Sequence, residues 1–234
     1  MAAGRALGAT VLGYAAGTLP SADVAARLAA RRRGAVDLRA SGSGNPGAAN
    51  AIALLGPRWG YGVMAADIAK GAVAAVVGRR VGGSTGAHAA GAAAVVGHCY
   101  PAWNGFRGGK GVAASVGQCV ATFPVWTVPD LALAGAVAAS PWWRRRALAA
   151  TAASSAAWVV AALVWWRRGW PNLWGPAPTA ALPLAAAASS AVILARFLAA
   201  ARPGGRSAQQ VPGGETERAL SAQGLTRAEE EEAP

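Results

Sequence analysis

Apolar residues run through this chain in long blocks separated by short polar turns. Leu7–Pro20 is the first block, extendable through Ala22 to Ala26; Tyr61–Val77 and a segment from Ala87 to Val96 follow. Then come Val112–Ala139, Ala147–Trp166 and Thr179–Ala201. A helix needs about 20 apolar residues to cross a bilayer, so these blocks predict transmembrane helices. Val112–Ala139 is interrupted by Pro124, Pro129 and Asp130, and reads as one long span or as two short ones with a turn at Pro124–Pro129. The pattern predicts an all-α, polytopic membrane helix bundle of about seven spans. Residues 1–201 would form the membrane-embedded domain and 202–234, which end in four consecutive Glu, a disordered cytoplasmic tail.

Charge orients the bundle. Arg27, Arg31, Arg32, Arg33 and Arg39 read as one basic loop after the first span. Cytoplasmic loops are enriched in Lys and Arg, so the N-terminus is expected outside and the C-terminus in the cytoplasm. Arg144–Arg146 fall inside only if Val112–Ala139 crosses twice, which favours the two short spans. Met1–Pro20 reads as a retained span rather than a leader, because a basic loop follows it.

Composition agrees. Apolar residues make up 54% of the chain and charged residues 14%, against about 25% charged in a soluble domain; mean hydropathy is +0.31. The net charge of +12 sits in clusters between apolar runs, with no aromatic interleaving for base stacking. It therefore points to topology and anionic lipid, not to nucleic acid. Cys99 and Cys119 give neither a disulfide framework nor a metal spacing and read as packing residues.

The candidate chemistry lies in two glycine-rich turns on one membrane face. The first, Asp37–Asn50, reads DLRASGSGNPGAAN: Gly42, Gly44 and Gly47 bracket Ser43, Asn45 and Pro46, and Asn50 stands where a helix could start. Successive amides in such a turn can form an anion nest, and a helix N-terminus adds partial positive charge; a plain re-entry turn is the other reading. The second, Gly97–Val112, reads GHCYPAWNGFRGGKGV and carries His98, Asn104, Arg107, Gly108, Gly109 and Lys110. Arg and Lys beside glycine backbone suit a phosphate, and apolar helices behind suit an acyl chain. Asp67 and Lys70 lie within a span at i and i+3, as a functional pair or simply an ion pair facing the interior. His88 reads as an interfacial polar residue. No Walker motif, zinc signature or nucleophile elbow is present, so neither metal nor cofactor is implied.

These residues resemble a known family, the bacterial acyl-phosphate:glycerol-3-phosphate acyltransferases, integral membrane enzymes of phospholipid synthesis. GSGNPGAAN at Gly42–Asn50, preceded by Asp37-Leu38-Arg39, is similar to its first motif, with Ala49 in place of Thr. GHCYPAWNGFRGGKGVA at Gly97–Ala113 is similar to its second, with Tyr100, Trp103 and Arg107 as conservative variants. GYAAGTLP at Gly13–Pro20 and DIAKG at Asp67–Gly71 also match. The third motif, an HRxNIxRL-like run, is absent: at SAVILARFL, Arg196 stands for its second Arg, while its His and Asn fall on Ser190 and Ile193. The Arg that usually follows the first motif falls on Ala53, with Arg58 the nearest cation.

The resemblance implies acyl transfer from acyl phosphate to the 1-hydroxyl of glycerol 3-phosphate without a cofactor, at the cytoplasmic face of the plasma membrane, among membrane lipids. It assigns Lys110, His98 and Ser43 to catalysis. Gly42, Gly44, Asn45, Gly47, Asn50, Arg107, Gly108 and Gly109 would bind phosphate, and Asp67 and Lys70 would support the loops. His98 would orient a hydroxyl or act as a base, or else tie the hinge together structurally. A non-catalytic homologue binding a phosphorylated lipid head group, and a small transporter of a phosphorylated solute, are the alternatives.

Overall fold

The computed structural model describes residues 2–200. Among these the chain is all-helical: α1 (Ala2–Gly17), α2 (Ser21–Arg33), α3 (Ala48–Leu55), α4 (Pro57–Cys99), a 3-10 turn (Ala102–Asn104), α5 (Val112–Thr122), α6 (Pro124–Ala139), α7 (Arg146–Arg168) and α8 (Ala181–Ala200). The expected tail at 202–234 lies outside the described residues. Three helical stretches are long and apolar enough to cross a membrane: Pro57–Asn104, Arg146–Arg168 and Ala181–Ala200. α5 and α6 are shorter apolar helices.

Helix α4 is the hub, packing against α1, α2, α3, α5 and α8. Its two arms correspond to the Tyr61–Val77 and Ala87–Val96 blocks. They meet at Gly82–Gly83, where Gly83 takes φ 64°, ψ −151°, a conformation that any side chain would strain. Small residues let neighbours lie directly on the α4 backbone. A Cβ on Gly13 or Gly17 would collide with the carbonyls of Ala90 or Ala94, and one on Gly117 with that of Ile68. Close backbone approach of this kind is how helices associate where apolar burial from water is not the driving force.

Two boundaries differ from the sequence reading. Residues 27–33, read as part of a basic loop, belong to helix α2. The segment is rich in Ala and Arg, both strong helix formers. Ala22, Ala25 and Ala29 recur at helical spacing and are buried against Leu38, Ala51, Leu55 and Val63. The break within Val112–Ala139 falls at Phe123, not over the whole Pro124–Pro129 turn. Pro124 opens α6 at its first turn, where a missing amide costs nothing, and Pro129 stays inside that helix.

The remaining core is apolar and shared. Cys119, Phe123, Trp158, Ala162, Leu182 and Ala186 join α5, α7 and α8. Val95, Cys99, Ala114 and Ile193 form a second cluster directly under the Gly97–Val112 loop. Both cysteines are free and buried.

Candidate active site: a polar cavity at Gly108–Gly109 and a separate cationic one

The centre of the site is Asp67, which is 2% exposed. Its Oδ1 accepts from Ser21 Oγ at 2.5 Å, lies 2.8 Å from Lys70 Nζ and 3.5 Å from His98 Nδ1. Lys70 Nζ also donates to the Leu19 carbonyl at 3.1 Å. One carboxylate therefore ties α2, α4 and the start of the second loop. A buried charge is tolerated when paired and hydrogen-bonded, and this arrangement does both. With Nδ1 turned to Asp67, the other ring nitrogen of His98 faces Gly109. A carboxylate on one imidazole nitrogen fixes the tautomer that leaves the second nitrogen as acceptor.

The two glycine loops meet through Arg39. Its guanidinium makes a two-pronged pair with Asp23 of α2, through Nη1 to Oδ1 and through Nη2 to Oδ2 at 3.0 Å. Its Nε donates to the Arg107 carbonyl at 3.1 Å. With its amide oxygen toward the same group, Asn104 accepts from Arg39 Nε at 3.0 Å and Nη2 at 2.5 Å. From the other side Arg196 of α8 donates through Nε to the Gly109 carbonyl at 3.1 Å and through Nη2 to that of Gly108 at 2.6 Å. The same glycines donate their amides back to the carbonyls of Cys99 and His98, both at 3.1 Å.

Gly108 and Gly109 thus form a pinned strand, with a cavity of about 210 Å³ on one side. His98, Lys70, Arg39, Arg27, Asp23 and Asn104 line it, along with the strand itself. A separate cavity of about 290 Å³ contains Lys110, Arg145, Arg146 and Phe197. An apolar groove of about 360 Å³ between α2 and α4, lined by Val24, Leu28, Trp59 and Val63, shares Leu19, Pro20, Ser21 and Lys70 with the polar cavity.

The expected site residues are therefore split. His98, Asp67, Lys70, Gly108 and Gly109 come together. Lys110 lines the other cavity, its Nζ 4.5 Å from the Phe197 ring centroid. Burial and the nearby Arg196 guanidinium hold its ammonium below the usual lysine pKa. Ser43 is exposed and lines neither of these cavities. The Arg107 side chain is exposed as well; its carbonyl is what the fold uses.

The first loop corrects the expectation of an open anion nest. Asn50 is not the cap of α3, which starts after Gly47. It turns back, donating Nδ2 to the carbonyls of Leu38 (2.9 Å) and Ser41 (3.1 Å) and accepting the Ser43 amide at 2.9 Å. The amides of Gly44 and Gly47 donate to Ser41 and Asn45. The Ser43, Gly44 and Gly47 amides are thus consumed within the loop, which stiffens the Gly42–Gly47 turn. None of Gly42, Ser43, Gly44, Asn45 and Gly47 lines the polar cavity; Pro46, between Asn45 and Gly47, does.

Several participants were missed. Ser21 and Asp23 lie in the stretch by which the first block is extendable to Ala26, and Arg27 belongs to the run that reads as topology charge. Arg196 was noted only as a motif remnant. The available signal was an acidic residue, Asp23, four positions before Arg27 in an otherwise basic stretch. Ile193, where the family motif has Asn, sits in the apolar cluster beneath the loop, and Ser190 Oγ is buried without a partner.

An apolar helical bundle with a charged cavity opening beside an apolar groove has room for an anionic group next to a hydrocarbon one. The glycerol-3-phosphate acyltransferase family model matches residues 7–202, and the chain belongs to that family. It is 40% identical over 131 residues to glycerol-3-phosphate acyltransferase of Symbiobacterium thermophilum, covering 56% of this chain and 63% of that one. It is 44% identical over 117 residues to the Gloeobacter violaceus protein of the same description, covering 48% and 55%. The chain thus spans about half to two thirds of the length of these curated relatives. Crystal structures of PlsY (YgiH), an integral membrane glycerol 3-phosphate acyltransferase, superpose along the whole bundle. Its glycerol 3-phosphate form gives TM-score 0.63 and 27% identity, covering 95% of this chain and 94% of that one. Its lysophosphatidic acid form gives TM-score 0.62 and 25% identity at the same coverage.

Proposed function

We propose that this protein transfers an acyl group from acyl phosphate to the 1-hydroxyl of glycerol 3-phosphate, giving lysophosphatidic acid and phosphate. The observation that carries this reading is the shared rim of two cavities: Leu19–Ser21 and Lys70 border both the polar cavity and the apolar groove. A head group placed beside His98 has a place for its hydrocarbon tail next door. The glycerol 3-phosphate and lysophosphatidic acid forms of the solved relative support the same acceptor and product.

The chemistry closes without a cofactor. The hydroxyl oxygen bonds to the acyl carbon, the bond from that carbon to the phosphate oxygen breaks, and the hydroxyl proton ends on the released phosphate. In this reading His98, held by Asp67, orients the hydroxyl and relays its proton. Phosphate is a good leaving group, so positioning and charge stabilisation supply most of the rate. We place the site at the cytoplasmic face of the plasma membrane in a seven-span bundle, with the N-terminus outside and the C-terminus inside. The Arg-rich α2 and the Arg144–Arg146 turn support that orientation.

The test uses the full chain in proteoliposomes supplied with acyl phosphate and glycerol 3-phosphate. Lysophosphatidate and phosphate should appear in equal amounts. Binding of both substrates without product, beside a working relative, would overturn the enzyme in favour of a head-group-binding homologue, the outcome that Ser190 and Ile193 at the third-motif positions would then explain.

A further inference from the structure

The apolar groove between α2 and α4 has a direction. On α4 it is lined by Trp59, Gly62, Val63, Ala66 and Lys70, spaced as one face of a helix, opposite Val24, Ala25 and Leu28 of α2. Among the described residues Lys70 is the one charged residue in that lining, and its end of the groove is the end that joins the polar cavity through Leu19–Ser21. Measured back along α4 at about 1.5 Å per residue, Ala66 lies about 6 Å, Gly62 about 12 Å and Trp59 about 16 Å from the level of Lys70. Trp59 is the α4 lining residue farthest from the charged end, and it packs against the buried cluster that includes Leu55 and Val63. Gly62 leaves the middle of the groove open. A Cβ on Gly62 would meet no heavy atom within 4 Å, whereas one on Gly60 would strike Ile52 of α3. Helix packing therefore accounts for Gly60 but not for Gly62, and Gly62 is not among the glycines with positive φ. Glycine inside a helix is less stable than alanine, so the space it leaves in the groove is the feature that distinguishes this position.

We propose that this groove measures the acyl chain: Gly62 leaves the passage and Trp59 closes its far end, so that these two residues set the chain length the protein accepts. This rests on the reaction proposed above and deepens it by naming what selects the acyl donor. The occupant is a single hydrocarbon chain, that of the acyl phosphate, because the groove meets the head-group cavity at Lys70 and is apolar along the rest of α4. A chain that ends at Trp59 gains burial with every methylene. A longer one must bend out of the groove or displace the indole. One methylene more or less in a hydrophobic pocket is worth about tenfold or more in discrimination. The ordinary reading of an apolar groove on a membrane protein is a seat for bilayer lipid. That reading gives the acyl length of the substrate no connection to Gly62; the measuring groove does.

The experiment places side chains along the groove in the full chain, reconstituted in nanodiscs of one lipid composition. Ala66→Leu, Gly62→Leu and Trp59→Leu are compared with the control Ala65→Leu, at an exposed position of α4 outside the lining. Steady-state kinetics with glycerol 3-phosphate give kcat/KM for decanoyl, myristoyl, palmitoyl and stearoyl phosphate. Gly62→Leu should lower the palmitoyl-to-decanoyl ratio by about tenfold or more relative to the parent. Ala66→Leu, closer to Lys70, should depress decanoyl phosphate as well. Trp59→Leu should raise the stearoyl-to-palmitoyl ratio, and Ala65→Leu should keep the parent's profile. Leu is a better helix former than Gly and its Cβ enters open space at this position, so Gly62→Leu decides the matter even if Trp59→Leu, which loosens a packed cluster, fails to fold. An unchanged length profile in Gly62→Leu, or a change equal to that of Ala65→Leu, overturns the proposal and leaves the groove to bilayer lipid. If the parent makes no lysophosphatidate from any donor, the enzyme reading fails while Kd for the non-reacting decyl and hexadecyl phosphates still decides the groove. Gly62→Leu weakening hexadecyl phosphate more than decyl phosphate then supports it, and equal weakening or none overturns it.

Discussion

The cavity lined by Gly108–Gly109 and the one beside Lys110 are both polar and both basic, yet they are built differently. On the His98 side the buried charges are matched, Asp67 with Lys70 and His98 and Asp23 with Arg39, and only the exposed Arg27 on its rim lacks a carboxylate partner among the described residues. On the Lys110 side three cations line one cavity with no matching carboxylate among the described residues. Matched buried charges fix geometry, because each group is held by a partner and breaking one strands the other. Solvent-exposed cations such as Arg145 and Arg146 impose no such constraint. The difference falls within a single loop of a few residues. It also explains why a motif that looks continuous in sequence serves two cavities in space.

The sharpest way to break that division is to thicken the strand. A Cβ on Gly108 would overlap the carbonyl oxygens of His98 and Cys99, and one on Gly109 would overlap His98 Nε2. Backbone cannot step aside at Gly108, so Gly108→Ala must displace the strand from both its Cys99 and Arg196 contacts. A misplacement of about 1 Å is enough to cost about 100-fold in rate. Turnover by Gly108→Ala should therefore fall by at least that factor in the phosphate-release assay, and activity near the parent level would show that the strand does not position the site.

Next in size is the matched side itself. Asp67→Asn removes the charge that holds Lys70 and leaves an ammonium 6% exposed at the side chain without its counter-ion. Removing one partner of a buried pair costs about 3–5 kcal/mol, and thermal unfolding in detergent should record a loss of that order. Turnover should fall as well, with kcat reduced more than KM for either substrate, because His98 loses the group that orients it. A variant with unchanged melting and a raised KM would place Asp67 in binding and erase the contrast.

How far the sequence revealed this depended on whether a residue's role was local. Helical blocks were readable because apolar length alone signals a span, and the Gly82–Gly83 joint fell in a gap between two of them. Asp67 and Lys70 were readable as a pair because i, i+3 spacing brings side chains together on any helix. Asn50 was misread because the sequence showed a good helix-starting residue but not the three loop groups its amide would find. Ser21, Asp23 and Arg196 were obscured because their partners are 46, 16 and about 88 positions away. Lys110 and His98 are twelve positions apart in one motif, and nothing in that spacing reveals that they line different cavities. The α2 helix was hidden by its arginines, which satisfy the topology rule and helix propensity equally well.

The smallest expected effect concerns the unmatched side alone. Lys110 is held below the ordinary lysine pKa, first by burial and then by the Arg196 guanidinium. Arg145 and Arg146 of α7 face the same cavity, and no described acidic residue lines it. Rising pH removes the ammonium proton, so the cation is present on the acidic side of its pKa and lost on the alkaline side. If it binds a phosphate in the free protein, kcat/KM should decline on the alkaline side earlier than an ordinary lysine allows, since that parameter reports groups of the free enzyme. Lys110→Arg keeps the charge to far higher pH and should remove the decline while leaving the neutral-pH rate lowered only by the altered reach. Persistence of the same alkaline limb in Lys110→Arg would assign it to another group, and the two cavities would then no longer differ in the way their charges suggest.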